Sequence, residues 1–216
     1  RIIASMFKKE PSSEAWIMDI DEYGDRNWHN TYGGKKEDVG KSIDAFSDNS
    51  FLLTCETESF GRGKKDIWLL KIDSNGKIIW DNTFGGKKND IYGSTLLYTD
   101  NSMFISGQRA VKNKFSLRSI LTLNSNKNSS KSANYSSFIA RFNGKGKIVW
   151  ENDDFEDQKC ITPYMTTLGK NILIAGQKST PFNGSGDAWV ISMNKKGEVI
   201  WDANFGGRGA DGGNYA

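Results

Sequence analysis

The sequence is poor in the residues on which several kinds of functional site depend. Its 216 residues include two cysteines, three prolines and a single histidine. Cys55 and Cys160 form neither a disulfide framework nor a Cys-x-x-Cys pair, and His29 stands alone. Zinc sites built from Cys and His are therefore nearly excluded, as are most catalytic triads that need a His base. The sequence predicts no metal, no cofactor and no catalytic residues.

Long hydrophobic runs and an excess of one charge are also missing. No apolar stretch approaches the roughly 18 residues of a transmembrane helix, so no transmembrane segment is expected. The chain opens with RIIASMFKKE, without an initiator methionine or a signal peptide, which is typical of a mature or trimmed segment. A net charge of +3, from 29 basic and 26 acidic residues, is too small to indicate a nucleic-acid partner.

What the chain does contain is 12% aromatic residues, 23 glycines and an internal repeat. The stretch DIWLLKIDSNGKIIWDNTFGGKKND begins at Asp66, and related stretches begin at Glu14, Ser136 and Asp187. In each copy an aromatic residue precedes a tryptophan by twelve positions, and a glycine lies four residues before that tryptophan. The aromatic pairs are Trp16 and Trp28, Trp68 and Trp80, Phe138 and Trp150, and Trp189 and Trp201.

The spacing of the copies defines the unit. Successive first aromatics are 68 − 16 = 52, 138 − 68 = 70 and 189 − 138 = 51 residues apart, which gives a period near 52 with one insertion in the third unit. Each unit reads as four short strands, A to D, as in IYGSTLLYT, SMFISGQ, DIWLLKI and KIIWDNTF, with Asn and Gly turns that tolerate positive φ. The predicted units are residues 1–34, 38–86, 90–155 and 160–207, with the insertion at 111–135.

Four-stranded units of this length, repeated with a tryptophan signature, predict an all-β fold of the β-propeller type with four blades. The pattern also resembles the W-motif of quinoprotein-like (PQQ-type) propellers, and the whole unit with its FGG…D tail is similar to propeller repeats of bacterial and archaeal secreted or cell-surface proteins. The opening RIIAS aligns with strand B, so the first unit lacks strand A. We therefore expect a larger ring of six to eight blades, or closure by association with further blades or chains.

The repeated tryptophans have two interpretations. Each would serve as a stacking platform for a sugar, but a residue that recurs once per blade in the same phase is typical of packing between blades. We therefore interpret the aromatic positions of the repeat as structural blade positions: Trp16, Trp28, Trp68, Trp80, Trp150, Trp189 and Trp201.

A binding surface is predicted on one face of the propeller. The A–B and C–D hairpins lie on one face, and the B–C and D–A connections, together with the insertion, lie on the other, where long loops usually carry function. This second face is rich in lysine and arginine, and the insertion contains no acidic residue. The predicted binding residues are Lys64, Lys65, Lys112, Lys114, Arg118, Lys127 and Lys131. The alternative is an ordinary solvated loop whose lysines pair with the nearby acidic stretch ENDDFEDQK.

Three aspartates recur ten residues after the second tryptophan of their units: Asp38, Asp90 and Asp211. A carboxylate at this D–A connection would suit Ca²⁺, but an aspartate that accepts backbone N–H bonds where strand A begins is the simpler interpretation.

The predicted function is a non-catalytic binding or scaffold module of a secreted or cell-surface protein, which recognises a glycan or protein partner through the loops of one face, where the basic residues would suit an anionic partner. One alternative is a propeller enzyme (a quinoprotein-like dehydrogenase, a hydrolase or a lyase), although the adjacent cysteine pair of the quinoprotein family is absent. Another is a scaffold similar to the quinoprotein-like lipoprotein of the outer-membrane assembly machinery. The expected location is extracellular or at the cell surface, with the periplasm as the alternative.

Overall fold

The computed structural model describes residues 5–9, 12–111, 134–153, 160–179 and 186–206, and all regular elements within them are β-strands. The fifteen strands are β1 Ser5–Lys9, β2 Ser12–Ile20, β3 Arg26–Tyr32, β4 Asp38–Ala45, β5 Phe51–Thr57, β6 Asp66–Ile72, β7 Ile78–Phe84, β8 Asp90–Leu97, β9 Met103–Val111, β10 Asn134–Phe142, β11 Ile148–Asn152, β12 Cys160–Leu168, β13 Asn171–Ser179, β14 Gly186–Met193 and β15 Val199–Phe205. None of the described elements is a helix that could cross a membrane.

The strands form four antiparallel sheets in chain order. Sheet I contains β1, β2 and β3, and sheets II, III and IV contain β4–β7, β8–β11 and β12–β15, each as a meander of sequential neighbours. The all-β class and the repeated antiparallel sheets are thereby confirmed. Sheet I has three strands, with the one that aligns with strand B, β1, at its edge.

The turns follow the Asx and Gly signals of the sequence. In sheet II, the Asp73 carboxylate accepts hydrogen bonds from the backbone N–H groups of Asn75 (2.8 Å) and Lys77 (2.9 Å), and Gly76 has a φ of 78°. On the same side of the sheets, the hairpins between the first two strands carry Asn49 and Asn101 at φ of 62° and 60°. These residues tolerate the left-handed region that a tight hairpin needs, so the turn chemistry determines the strand register.

The core lies between the sheets rather than within one of them. Leu52 and Leu53 are consecutive residues of β5, so their side chains point to opposite faces of sheet II. Leu52 belongs to the cluster shared with sheet III, and Leu53 belongs to the cluster shared with sheet I. A third cluster joins sheets III and IV around Phe104, Ile174 and Ile191. Because both faces of sheets II and III are covered, strands β5 and β6 are buried along almost their whole length.

The ends of the predicted insertion lie in paired strands. Val111 pairs with Asn134 and Ala110 pairs with Tyr135, so both ends of the predicted segment 111–135 extend the β9–β10 hairpin. The extension occurs because each residue added to an antiparallel pair satisfies backbone hydrogen-bonding groups that a loop would leave to solvent.

Candidate functional site

Three connections at one end of the sheets form a continuous surface, which we call the loop face: residues 33–37, 58–65 and 85–89. The first two meet where the backbone N–H of Lys36 donates to Ser59 Oγ (2.9 Å) and that of Glu58 donates to the Glu37 carbonyl (2.8 Å). The second and third meet at Gly63, where an added Cβ would lie 2.8 Å from the Gly86 carbonyl oxygen. Only glycine permits this approach between the second and third loops.

Asp38 anchors the first connection from below. It is fully buried, and its carboxylate accepts hydrogen bonds from the backbone N–H of Gly34 (2.7 Å), from Ser59 Oγ (2.6 Å) and from Thr57 Oγ1. These donors stabilise a carboxylate that has no access to water. The simpler interpretation of this position, an aspartate bonded to backbone N–H groups, is confirmed for Asp38. Asp211 lies outside the described residues.

Asp90 anchors the third connection with a different partner. The carboxylate accepts a hydrogen bond from the backbone N–H of Gly86 (2.7 Å) and forms an ion pair with Arg109 Nε (2.5 Å). Arg109 also contacts Glu151 through Nη1 (2.6 Å) and packs against the rings of Phe84 and Phe138. Arg109 pairs with Asp90 across β8 and β9 in sheet III. The corresponding pair in sheet II is Thr57 and Asp38. A guanidinium therefore replaces a hydroxyl as the donor to the buried aspartate.

Asp66 anchors the middle connection at the start of β6. Its Oδ2 accepts hydrogen bonds from the backbone N–H groups of Arg62 (2.9 Å) and Gly63 (2.8 Å). Its Oδ1 is buried without a hydrogen-bond partner among the described residues, next to Gly85. Burial raises the pKa of this carboxyl, and the nearby Asp90 adds to the increase. Each of the three connections is thus held by one buried aspartate.

Glu56 links sheets II and III beneath the loops. Strand β8 is the first strand of sheet III, and we call the first strand of each four-stranded sheet its inner strand. It has a bulge between Tyr92 and Ser94, and Glu56 Oε1 accepts a hydrogen bond from the backbone N–H of Tyr92 (2.9 Å). The same carboxylate forms ion pairs with Lys41 (3.2 Å) and Lys65 (3.7 Å). These three partners offset part of the cost of burying the Glu56 carboxylate.

The outer surface of the loop face is basic. Five of its cations are exposed, and no ion pair among the described residues involves any of them: Lys35, Lys36, Arg62, Lys64 and Lys87. Lys65 is different, because it lies near the carboxylates of Glu37 (3.9 Å) and Glu56 (3.7 Å). Of the predicted binding residues, Lys64 is therefore available to a ligand and Lys65 is partly neutralised. Lys112, Lys114, Arg118, Lys127 and Lys131 lie outside the described residues.

The second tryptophans of the repeat lie on the last strand of each sheet, which we call the outer strand, and those of sheets I to III pack against the last turn of the next sheet. Trp28 Nε1 donates to the Ser74 carbonyl (3.0 Å), and Trp150 Nε1 donates to the Lys195 carbonyl (3.1 Å). Trp80 lies against the equivalent turn of sheet III, where a Cβ added to Gly146 would be 2.5 Å from the indole. Trp201, on the outer strand of sheet IV, is 44% exposed.

The first aromatics of the repeat lie deeper. Trp68 and Trp189 are buried, and their indole N–H groups donate to Asp81 (2.9 Å) and Asp202 (3.0 Å) on the neighbouring outer strands. Trp16 has its ring centroid 6.3 Å from that of His29, which occupies the aspartate's position in sheet I. In sheet III the equivalent aromatic is Phe138, whose side chain has no N–H group to donate. The carboxylate at the aspartate's position, Glu151, pairs with Ala140 in the register and binds Arg109 instead.

A second polar cluster lies between the inner strands of sheets II and III. Thr95 Oγ1 is 3.1 Å from Thr54 Oγ1 and 3.3 Å from Ser42 Oγ, and Ser42 also donates to Asp44 (3.4 Å). Burial raises the pKa of Asp44 to about 6. In the described part of the chain, no three His, Cys, Asp or Glu side chains are grouped to hold a metal ion.

Sequence reasoning missed the contacts that Arg109, Glu56 and Asp66 make beneath the loop face. A signal for Arg109 was present, because it aligns with Thr57 in the repeat and a strand residue that changes from hydroxyl to cation marks a local exception. In comparisons with known proteins, no family model and no curated protein matches this sequence.

Proposed function

We propose that the chain is a non-catalytic binding module of the β-propeller type, part of a secreted or cell-surface protein, that recognises an anionic glycan or an acidic protein surface through the loop face. The observation that carries this proposal is a set of five exposed cations, on loops held by buried carboxylates, that form no ion pair with any residue the structure describes. Its relation to quinoprotein-like propellers is part of the same proposal and rests on the tryptophan repeat.

The propeller arrangement is supported by the order of the contacts. Sheet I packs on sheet II, sheet II on sheet III and sheet III on sheet IV, each through its own hydrophobic cluster. The inner strands β4, β8 and β12 contact one another in that order. Meander sheets that pack face to face with their first strands on one side are typical of propeller blades.

The charge on the loop face favours an anionic ligand. The three connections carry seven basic residues and two acidic ones, a sum of 7 − 2 = +5. The buried Asp38, Asp66 and Asp90 beneath them direct their charge to backbone N–H groups and Arg109. The surface that a ligand meets is therefore more positive than the chain as a whole, which concentrates anions near it.

The rigidity of the loops favours binding rather than a solvated surface. Each connection is fixed by hydrogen bonds to a buried carboxylate, so the backbone beneath the cations is already ordered. A preorganised surface loses less conformational entropy when it binds, and more of the electrostatic attraction appears as affinity.

The proposal is tested with two variants of equal charge. The first carries Lys35→Glu, Lys36→Glu and Lys87→Glu on the loop face; the second carries Lys77→Glu, Lys145→Glu and Lys147→Glu on exposed turns at the opposite end of the sheets. Each variant changes the net charge from +3 to 3 − 6 = −3. We expect the first to lose retention on heparin and on an acidic glycan array, and the second to keep most of it.

Equal loss in both variants would show that net charge, not the loop face, is responsible, and failure of the unmodified chain to bind any acidic glycan or polyanion would overturn the proposal.

A third variant replaces residues 112–133 with Asn-Gly. Because β9 and β10 still pair at Val111 and Asn134, a two-residue turn closes this hairpin. We expect this variant to elute from heparin at a lower salt concentration than the unmodified chain, because it lacks Lys112, Lys114, Arg118, Lys127 and Lys131.

A further inference from the structure

The contact between one sheet and the next has two halves that recur along the chain. The first half is the outer-strand tryptophan, and the second is the glycine of the next sheet's last turn. Trp28 lies on Gly76, Trp80 on Gly146 and Trp150 on Gly197, with distances from an added glycine Cβ to the indole of 2.8, 2.5 and 3.3 Å. Three copies of the same contact define what each half needs.

One copy of each half has no partner within the described residues. Trp201 on β15 is 44% exposed, and Phe205 at the end of the same strand is 58% exposed. Tyr32, which aligns with Phe205, is only 7% exposed because its hydroxyl donates to the Gly76 carbonyl (2.5 Å) in the next sheet. The outer strand of sheet IV thus presents aromatic residues that are covered in sheet I.

The complementary half is the turn of sheet I. The Asp21 carboxylate accepts the backbone N–H groups of Tyr23 and Asp25 (2.9 Å each), and Gly24 has a φ of 90°, as in the three turns that receive a tryptophan. Among the described residues, nothing lies within 4 Å of a Cβ added to Gly24. The turn therefore has the conformation of a filled site and lacks the indole.

We propose that Trp201 of one copy of this chain packs on the Gly24 turn of a second copy, in a head-to-tail association. The Trp201 Nε1–H then donates to the carbonyl of Glu22, as Trp28 and Trp150 donate to Ser74 and Lys195 at the same turn position. Charge also favours this contact, because the sheet I turn carries Asp21, Glu22 and Asp25, while the sheet IV turn carries Lys195 and Lys196 against one carboxylate, Glu198. Lys195 is partly neutralised by Asp100 (3.6 Å), so Lys196 is the main cation. Such heterologous contacts close into a ring or extend into a chain.

The test is the mass of the chain in solution, measured by sedimentation from about 1 to about 100 µM, where interfaces of micromolar affinity dissociate. We expect a concentration-dependent rise from 24.1 kDa to at least twice that mass. Trp201→Ala and Gly24→Asn should each weaken association at least about tenfold, because tryptophans at interface centres carry much of the binding energy. Asparagine tolerates the positive φ at position 24 while adding a side chain where the indole lies.

The matched controls are Leu168→Ala, which removes another exposed apolar residue of sheet IV, and Gly169→Asn, which makes the same change in another turn. Gly169 has a φ of 61°, a value that asparagine adopts at Asn49 (62°) and Asn101 (60°). Both controls should associate like the unmodified chain. Circular dichroism establishes that each variant keeps its sheets before its mass is interpreted.

Mixing the two disruptive variants gives the sharpest result. The Gly24→Asn chain still carries Trp201, and the Trp201→Ala chain still carries an open Gly24 turn, so an equimolar mixture should form a one-to-one complex that neither forms alone. A symmetric contact between two Trp201 surfaces would instead survive Gly24→Asn and would not be restored by mixing. A chain that stays monomeric at all concentrations would also overturn the proposal, whether a fluorescence quencher reaches Trp201 or the rest of the same chain shields it.

Discussion

The indole of Trp80 lies so close to the backbone of Gly146 that a Cβ at this glycine would be 2.5 Å from the ring. The two residues belong to different sheets, and Gly146 also has a φ of 71°. Glycine is required here for two separate reasons, its backbone conformation and the space taken by the tryptophan.

Replacing Gly146 with alanine separates these two requirements. The positive φ costs about 1–2 kcal/mol for any residue with a Cβ, and the clash with Trp80 adds about 1–3 kcal/mol. Gly169→Ala is the control, because Gly169 has a φ of 61° but nothing within 4 Å of its Cβ. Urea unfolding should show a clearly larger loss for Gly146→Ala, and equal losses would mean that Trp80 moves aside without cost.

The role of Arg109 is tested by comparing threonine with valine. Both substitutions remove the contacts with Glu151, Phe84 and Phe138, but the threonine hydroxyl can donate to Asp90 as Thr57 donates to Asp38. We expect Arg109→Thr to be more stable than Arg109→Val by about 1–3 kcal/mol, since valine leaves a buried carboxylate oxygen without its donor. Equal urea midpoints for the two variants would contradict this role for Asp90.

Asp44 predicts a specific pH dependence. Its pKa is about 6 in the folded chain and 3.8 in the unfolded chain, so the folded state holds the proton more tightly and stability is lost as pH rises from about 4 to about 6. Asp44→Asn removes this loss while keeping a group that can bond Ser42. The variant should match the unmodified chain near pH 4 and exceed it by about 1–3 kcal/mol at pH 8. A stability difference that does not change with pH would rule out this assignment.

Cys55 should report on opening of the interface between sheets I and II. It is a free thiol, fully buried between the two sheets, and burial raises its pKa, so little thiolate is available to react. In a Cys160→Ser background, we expect Ellman's reagent to react with no thiol in the folded chain at pH 8 and with one thiol in urea. Rapid reaction without urea would indicate that sheets I and II separate readily.

Local features of the fold were predictable from the sequence, since strand alternation and turn chemistry act over a few residues. The Ser74-Asn75-Gly76 turn and the strands on either side of it are found where the pattern predicts them. The repeat also showed that Trp28, Trp80 and Trp150 are equivalent. It did not show their partners, because Trp28 bonds to Ser74, 46 residues away, and that separation depends on how one sheet is stacked on the next.

Only the exposed residues of the candidate site were predictable from the sequence. Runs of lysine beside glycine identify exposed connections, and Lys35, Lys36, Lys64 and Lys87 are exposed. The buried network beneath them was not predicted, because a charged residue in a strand looks like a solvent-facing one until the opposite sheet is known. Glu56 is the clearest example: its partner is the backbone N–H of Tyr92, which lies beside a bulge in the edge strand of the neighbouring sheet.

The contact between sheets also has a direction, since the tryptophan always belongs to the earlier sheet and the glycine to the later one. Duplication of one repeat unit within the gene adds one tryptophan and one receiving turn, and the two terminal surfaces keep their chemistry. The contact itself therefore sets no fixed number of units, and under the proposed association two arrays of this repeat would join end to end by the same contact that holds sheets I to IV together.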